Sequence, residues 1–282
     1  MKIIRSIRSL RQEVAKIKLE KKSLGFVPTM GAMHEGHISL IRQARKENDS
    51  VVVSIFVNPA QFAPREDFKK YPRNLKRDAA LCRRAEVDIL FCPDAKEMYP
   101  AGYKTYITVE GLSDVLCGKF RPGHFKGVAT IVAKLFNIVQ PDIAYFGQKD
   151  GQQAVIIKQL ARDLNIPVEI KIMPTVREKD GLAMSSRNFY LNEQERRRAP
   201  VLFHSLKLAR LLIRQGQRDT AQIIRRMRGL IQKKKNARID YVAIVDREAL
   251  KPLKKISGRC LIALAVWIGK TRLIDNVVCR GL

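Results

Sequence analysis

Three short stretches of the sequence combine residue types that could do chemistry. Residues 28–37 (PTMGAMHEGH) hold two of the chain's four histidines, His34 and His37, with Glu35 and Gly36 between them. At a strand-to-helix junction this spacing directs both rings to one side. Gly36 lets a ligand approach the backbone, and the oriented N–H groups of a helix start suit a phosphate. One such histidine would read as ordinary packing; two beside a glycine favour an anion site. A zinc site is disfavoured, because the protease pattern needs histidines four apart with Glu directly after the first. Residues 146–153 (FGQKDGQQ) again lie between a strand and a helix. Gly147 permits a tight turn, Lys149 can reach a phosphate, Asp150 can accept from ribose hydroxyls or sit near a metal ion, and Gln153 falls on the first helical turn. In residues 174–188 (PTVREKDGLAMSSRN) the hydroxyls of Ser185 and Ser186 next to Arg187 could clamp phosphate. Alone, that last run reads as a polar loop.

These stretches need a scaffold, and the hydrophobic pattern supplies one. Strand-like runs at 24–27, 50–57, 89–92, 143–146 and 168–172 alternate with helical patterns at 37–47, 75–85, 126–139 and 151–164. Residues 50–57 (SVVVSIFV) are β-branched nearly throughout, as in a strand covered on both faces. Repeated β-α-β units predict an α/β domain with a parallel sheet, whose ligands bind at the carboxyl ends of the strands. The pattern changes near residue 176. A basic helical region covers 193–215, with Asn192 and Glu195 as a capping pair and a break expected at Pro200. A second basic helix covers 221–235, followed by strands at 239–245, 260–267 and 272–278, the last two joined as a hairpin through residues 269–271. The predicted organisation is therefore a sheet domain over 1–175 and a smaller α+β domain over 176–282.

The 282 residues carry 54 Lys and Arg against 27 Asp and Glu, a formal net charge of +27, so anions of some kind are attracted. The five cysteines are odd in number and form no CxxC pair, which predicts reduced thiols in a cytoplasmic protein and no disulfide framework. The N-terminus has no apolar run of signal-peptide type, and the longest apolar run, 260–268, is too short to span a bilayer, so no membrane partner is expected. A nucleic-acid-binding protein is the competing class. Runs such as Arg196-Arg197-Arg198 and Lys233-Lys234-Lys235 motivate it, but no nucleic-acid motif accompanies them. The expectation is a general basic surface and no specific nucleic-acid partner.

His-x-Gly-His at the first strand-helix turn, with Met184-Ser185-Ser186-Arg187 beyond the sheet, resembles the two signatures of the class I (HIGH-motif) nucleotidyltransferases. Residues 26–37, 54–73 (SIFVNPAQFAPREDFKKYPR), 118–128 (GKFRPGHFKGV), 140–153 and 174–188 together resemble the pantothenate synthetase family (pantoate–β-alanine ligases). Ala63, Gln148 and Met33 depart from that family's usual Gly, Glu and Leu. The nearest enzyme alternative, another nucleotidyltransferase of the superfamily such as a nucleotide-forming adenylyltransferase or a small aminoacyl-tRNA synthetase-like protein, leaves Gln61, Gln153 and the RPGHF stretch unexplained.

The resemblance implies a Rossmann-like sheet domain with a C-terminal α+β lid domain. It implies condensation of pantoate with β-alanine through pantoyl adenylate, releasing AMP and pyrophosphate. His34, His37 and Lys149 would be catalytic. The ATP site would comprise Met30, Gly31, His34, Gly36, His37, Gly147, Lys149, Asp150, Val176, Met184, Ser185, Ser186 and Arg187. Asn58, Gln61 and Gln153 would serve pantoate and β-alanine. Arg121 and His124 would support or gate that pocket without a catalytic step. Mg²⁺ would ride mainly on the ATP phosphates, with no protein ligand assigned, and the family is typically homodimeric.

Overall fold

The computed structural model describes residues 1–64 and 66–280. In chain order the elements are β1 (Lys2–Ile4), α1 (Ile7–Leu19), β2 (Leu24–Thr29), α2 (Glu35–Glu47), β3 (Ser50–Ile55), α3 (Leu75–Arg84), β4 (Ile89–Phe91), α4 (Ala95–Met98), α5 (Cys117–Phe120) and α6 (His124–Val139). There follow β5 (Ile143–Gly147), α7 (Gly151–Asp163), β6 (Glu169–Met173), α8 (Glu193–Arg198), α9 (Val201–Arg214), α10 (Thr220–Gln232), β7 (Ala237–Asp246), β8 (Arg259–Ile268) and β9 (Thr271–Arg280). The chain divides into two compact units. The first comprises Met1–Ser113, Arg121–Gly147 and Ile156–Met173; the second comprises Asp114–Phe120, Gln148–Val155 and Pro174–Leu282. The sequence placed one cut at 175/176; the second unit also takes in two earlier pieces of chain.

The first unit holds a six-stranded, all-parallel sheet in the order β1-β4-β3-β2-β5-β6. Val27, Val51, Val53, Leu90 and Tyr145 pack on one face against Ile38, Ile41 and Ala44 of α2 and Ala79 and Cys82 of α3. On the other face Phe136 of α6 meets Phe146 edge-on. Strands covered on both faces explain the unbroken apolar runs of β3. The order runs outward from β2 to β3 and β4 on one side, and to β5 and β6 on the other. The β2/β5 pair is thus the switch point at which α/β sheets bind ligands.

In the second unit β7-β8-β9 form an antiparallel sheet with α9 and α10 against it. Leu202, Leu206, Ile213, Ile223, Met227 and Ile231 pack on Ile244, Ile262, Leu264 and Val266. The break expected at Pro200 separates α8 from α9. The hairpin is tighter than the sequence suggested. Thr271 pairs with Ile268, leaving Gly269 and Lys270 as the turn, with Gly269 at φ +58°. The sequence reading passed over β1 and α1.

Candidate active site

The histidine turn begins at the switch point. Thr29, the last residue of β2, donates its hydroxyl to the Ser54 carbonyl (2.8 Å) and accepts the Gly31 N–H (3.1 Å). Gly31 (φ +78°) and Ala32 (φ +49°) then turn the chain in the left-handed region. This costs Ala32 some strain, and a carboxylate holds it there. Asp78 of α3, 1% exposed, accepts the N–H of Ala32 and the N–H of Met33, each at 2.9 Å. Helix α2 starts two residues earlier than expected, at Glu35, so His34 is its N-cap. His34 Nδ1 accepts the Gly36 N–H (3.2 Å), and His37 Nδ1 accepts the His34 N–H (3.4 Å), a capping box built from imidazoles. The ring centroids lie 4.1 Å apart. With each Nδ1 accepting from backbone, the neutral rings carry their proton on Nε2, so the pair presents two N–H donors.

The 3₁₀ turn Pro59–Gln61 follows β3. Asn58, 1% exposed, donates to Gln61 Oε1 (3.1 Å) and to the Gly127 carbonyl (3.0 Å), and its Oδ1 accepts the Tyr99 hydroxyl (2.8 Å). Gln61 in turn donates from Nε2 toward Met30 Sδ (3.1 Å). Asn58, Gln61 and Met30 therefore come together. Gly127 is required here: a Cβ would lie 2.3 Å from the Ala60 carbonyl oxygen. The RPGHF stretch clamps the same turn. Arg121 makes a bidentate pair with Glu66 (2.7 and 2.6 Å), its Nη1 meets His124 Nε2 (3.0 Å), and His124 Nδ1 meets the Gln61 carbonyl (2.8 Å). A guanidinium can only donate, so His124 accepts at Nε2 and donates from Nδ1. Arg121 and His124 thus tie Glu66 and the Gln61 backbone together.

In the second unit, Asn276 of β9 donates to the Gln148 and Lys149 carbonyls (2.9 and 2.8 Å) and accepts from Gln148 Nε2 (2.8 Å), presenting Lys149 and Asp150 at the start of α7. Lys149 Nζ lies 3.4 Å from Asp150. Gln153 sits on the first turn of α7, half-buried. Residues 176–184 fold back on themselves: the Met184 N–H donates to the Val176 carbonyl (3.0 Å) and Arg177 bridges Ala183. Arg177 is held by Asp275, 3% exposed, through two bonds of 2.6 and 2.9 Å. The turn ends in a 3₁₀ segment, Ser186–Tyr190, capped by the Ser185 hydroxyl, which accepts the Arg187 N–H (3.3 Å). Gly147 closes β5 in the first unit, so the residues expected at ATP fall in both units.

The sequence matches the family profile of pantoate–β-alanine ligase over residues 2–278. The chain belongs to the pantoate–β-alanine ligase family. It is 58% identical to the pantothenate synthetase of Moorella thermoacetica over 278 residues, 99% of this chain and 98% of that protein. It is 52% identical to that of Caldicellulosiruptor bescii over the full length of both chains. Among solved structures, the Thermus thermophilus pantothenate synthetase superposes with a TM-score of 0.94 at 45% identity, covering 98% of this chain and 99% of that one. The Francisella tularensis pantoate–β-alanine ligase, solved with β,γ-ATP and β-alanine, superposes with a TM-score of 0.82 at 36% identity, covering 99% and 97%. The chain is thus a ligase of pantothenate biosynthesis, joining pantoate to β-alanine with ATP as a substrate.

Seen within the pantoate–β-alanine ligase family, several groups around the site had escaped the sequence reading. Asp78 carries the histidine turn, Tyr99 holds Asn58, and Asn276 and Asp275 hold the two loops of the second unit. Burial, reinforced by Tyr103 and Tyr106, pushes the Tyr99 hydroxyl above its ordinary pKa, which keeps it a neutral donor to Asn58. Burial lowers the Lys134 ammonium, which lies over the Tyr103 ring at 4.5 Å. A short Tyr-Pro-x-x-Tyr run was the one local signal for Tyr99. Among the described residues no group of three or more His, Cys, Asp or Glu could hold a metal ion. No described helix is long and apolar enough to cross a membrane.

Proposed function

We propose that His34 and His37 stabilise the charge that develops when the pantoate carboxylate attacks the α-phosphate of ATP. The observation that supports this is the double imidazole cap. Both Nδ1 atoms are committed to backbone N–H groups, so both Nε2–H groups are preorganised donors at a helix start, where the dipole adds positive potential. Lys149, Ser185, Ser186 and Arg187 bind the β- and γ-phosphates, whose remaining charge a Mg²⁺ ion carried on the nucleotide would neutralise. Gly147 and Asp150 take the ribose, the backbone at Val176 meets adenine, and Met30, Gly31, Gly36 and Met184 line the nucleotide. Asn58, Gln61 and Gln153 hydrogen-bond pantoate, since its hydroxyls need neutral amides that both donate and accept. Pyrophosphate leaves with the pantoyl adenylate formed; the β-alanine amine then attacks the acyl carbon, and AMP departs. The acyl adenylate is already activated, so positioning serves the second step without an assigned base. In this reading the protein is cytoplasmic and homodimeric.

Pyrophosphate release measured with pantoate, ATP and β-alanine, and with each omitted in turn, tests the order of steps. The expected result is one equivalent of pyrophosphate per site without β-alanine and steady turnover with it. Release that ignores pantoate would overturn the assignment. Gln61→Ala is expected to raise the KM for pantoate about fivefold, the value of one neutral hydrogen bond, with the KM for ATP little changed. Equal effects on both substrates would mean that Gln61 serves the fold.

A further inference from the structure

The excess positive charge is not spread evenly. Residues 196–238 hold fourteen Lys and Arg and a single acid, Asp219. We propose that α8, α9 and α10 form a docking face for the phosphate backbone of a duplex nucleic acid, engaged by charge alone and separate from the ligase chemistry.

The fold concentrates what the sequence spreads. The apolar sides of α9 and α10 are spent in the unit's own core, so their outward sides carry the cations. Two basic triplets far apart in sequence abut, because Arg198 Nη1 donates to the Lys235 carbonyl at 3.3 Å. Arg197 is 76% exposed, though it reaches Glu193; Lys233, Lys234 and Lys235 are exposed and have no carboxylate partner among the described residues. Arg210 and Arg214 of α9 and Arg226 of α10 are exposed and equally unpaired among those residues, and the exposed Arg225 has only the longer-range attraction of Asp219. Helix dipoles explain cations in a last turn, which covers Arg196 to Arg198 and Arg214. They do not explain Arg225 and Arg226 in mid-helix, nor three lysines beyond Gln232. Like charges gathered this way repel one another, and a polyanion with regularly spaced phosphates relieves that repulsion while releasing its condensed counterions.

The chemistry of the face selects the occupant. Helices that lie on a bilayer keep an apolar side for insertion. Here Leu211 is the one large apolar side chain of α8–α10 that stays exposed among the described residues. Unpaired single strands are gripped by stacking on open aromatic rings. Phe203, the one Phe, Tyr or Trp within α8–α10, is instead covered by Arg177 (4.5 Å) and Lys207 (5.8 Å), and the half-buried Trp267 by Arg238 (4.9 Å); the exposed Phe189 and Tyr190 precede α8 and lie outside these helices. What remains is a backbone contact without base reading.

The test is a titration with random-sequence duplex DNA and with tRNA at several salt concentrations. It compares the full-length protein with the triple variant K233E/K234E/K235E, the neutral triple K233Q/K234Q/K235Q, and a control of equal charge change in the first unit, K18E/K76E/K96E. Binding by the parent protein at low salt is expected to fall steeply as salt rises, with no preference between sequences. The Lys233–Lys235 triples should reduce the slope of log affinity against log salt by roughly 3, about 0.9 per phosphate lost. The control should leave the slope nearly unchanged, and all variants should retain pyrophosphate release, which reports a folded enzyme. Absence of duplex binding at low salt would overturn the proposal. So would equal weakening by the control, which would make it a matter of net charge, or tighter binding to anionic phospholipid vesicles than to duplex.

Discussion

Each unit holds its functional loop with one buried aspartate, and the two do it differently. Asp78 accepts two backbone N–H groups, from Ala32 and Met33, and so sets the path of the chain directly ahead of His34. Asp275 grips a side chain: it binds Arg177, which also donates to the Gly181 carbonyl (3.0 Å) and lies over Phe203. The first arrangement fixes peptide geometry through bonds to neutral groups. The second pairs two charges, one 2% and the other 18% exposed in the side chain, and sets the loop through an intermediary. A carboxylate on peptide groups governs where the imidazoles of the turn sit. A carboxylate on a guanidinium governs whether a loop is folded at all, because losing one partner strands the other.

Removing a donor itself sets the upper limit for any effect of its support. His37→Ala is expected to lower single-turnover formation of pantoyl adenylate by roughly 10²–10³, with ATP still bound. Near-normal adenylation would remove His37 from the chemistry. Asp275→Ala is expected to destabilise the protein by about 3 kcal/mol, the lower part of the range for breaking a buried pair, since Arg177 keeps its carbonyl and ring contacts. Urea denaturation measures this, and a loss below about 1 kcal/mol would erase the contrast between the two aspartates.

Asp78→Asn should act on rate more than on stability. An amide offers one acceptor where two N–H groups need one each, so the turn shifts and adenylation falls by up to ~10²-fold. Unchanged adenylation would mean that the imidazole cap holds the turn alone. The smallest effect concerns Glu47 of α2, a carboxylate held by side chains. The Tyr145 hydroxyl first, then Lys171 and Gln43, bring its pKa from the ordinary 4.5 down to about 2. A lowered carboxylate stabilises the fold fully above its unfolded pKa and loses that contribution as pH falls through the folded value. The stability advantage of the parent protein over Tyr145→Phe should therefore shrink between pH 4.5 and about 2 in acid denaturation. An advantage independent of pH would assign it to packing of the ring.

Much of the scaffold was legible because hydrophobic periodicity is a local property. β-branched runs announced β3, amphipathic stripes announced α2 and α6, and Pro200 announced the break between α8 and α9. What escaped was either short or supported from elsewhere. β1 has three residues and stands at the sheet edge, where one neighbour, β4, stabilises it. Helix α1 carries only Leu10 and Val14 as fully buried positions among many charges. The tight hairpin was misjudged by one residue because Thr271 pairs across to Ile268, a preference that only the register decides.

The sequence by itself determined which groups can bind an anion and which backbone presents them: two histidines around a glycine at a strand-helix turn, Lys149 and Asp150 at another, and Ser-Ser-Arg after a third. Those depend on near neighbours in the chain. The tertiary structure alone decided what holds them in place. Asp78 lies 45 residues from Met33, Asp275 lies 98 from Arg177, Arg121 lies 55 from Glu66, and Asn276 lies 127 from Lys149. In the sequence Asp78 is one acid in Lys-Arg-Asp-Ala-Ala, indistinguishable from a solvated helix residue. It is recognisable only once α3 packs beside the β2 turn, where burial leaves two peptide N–H groups with no water and one carboxylate to satisfy them.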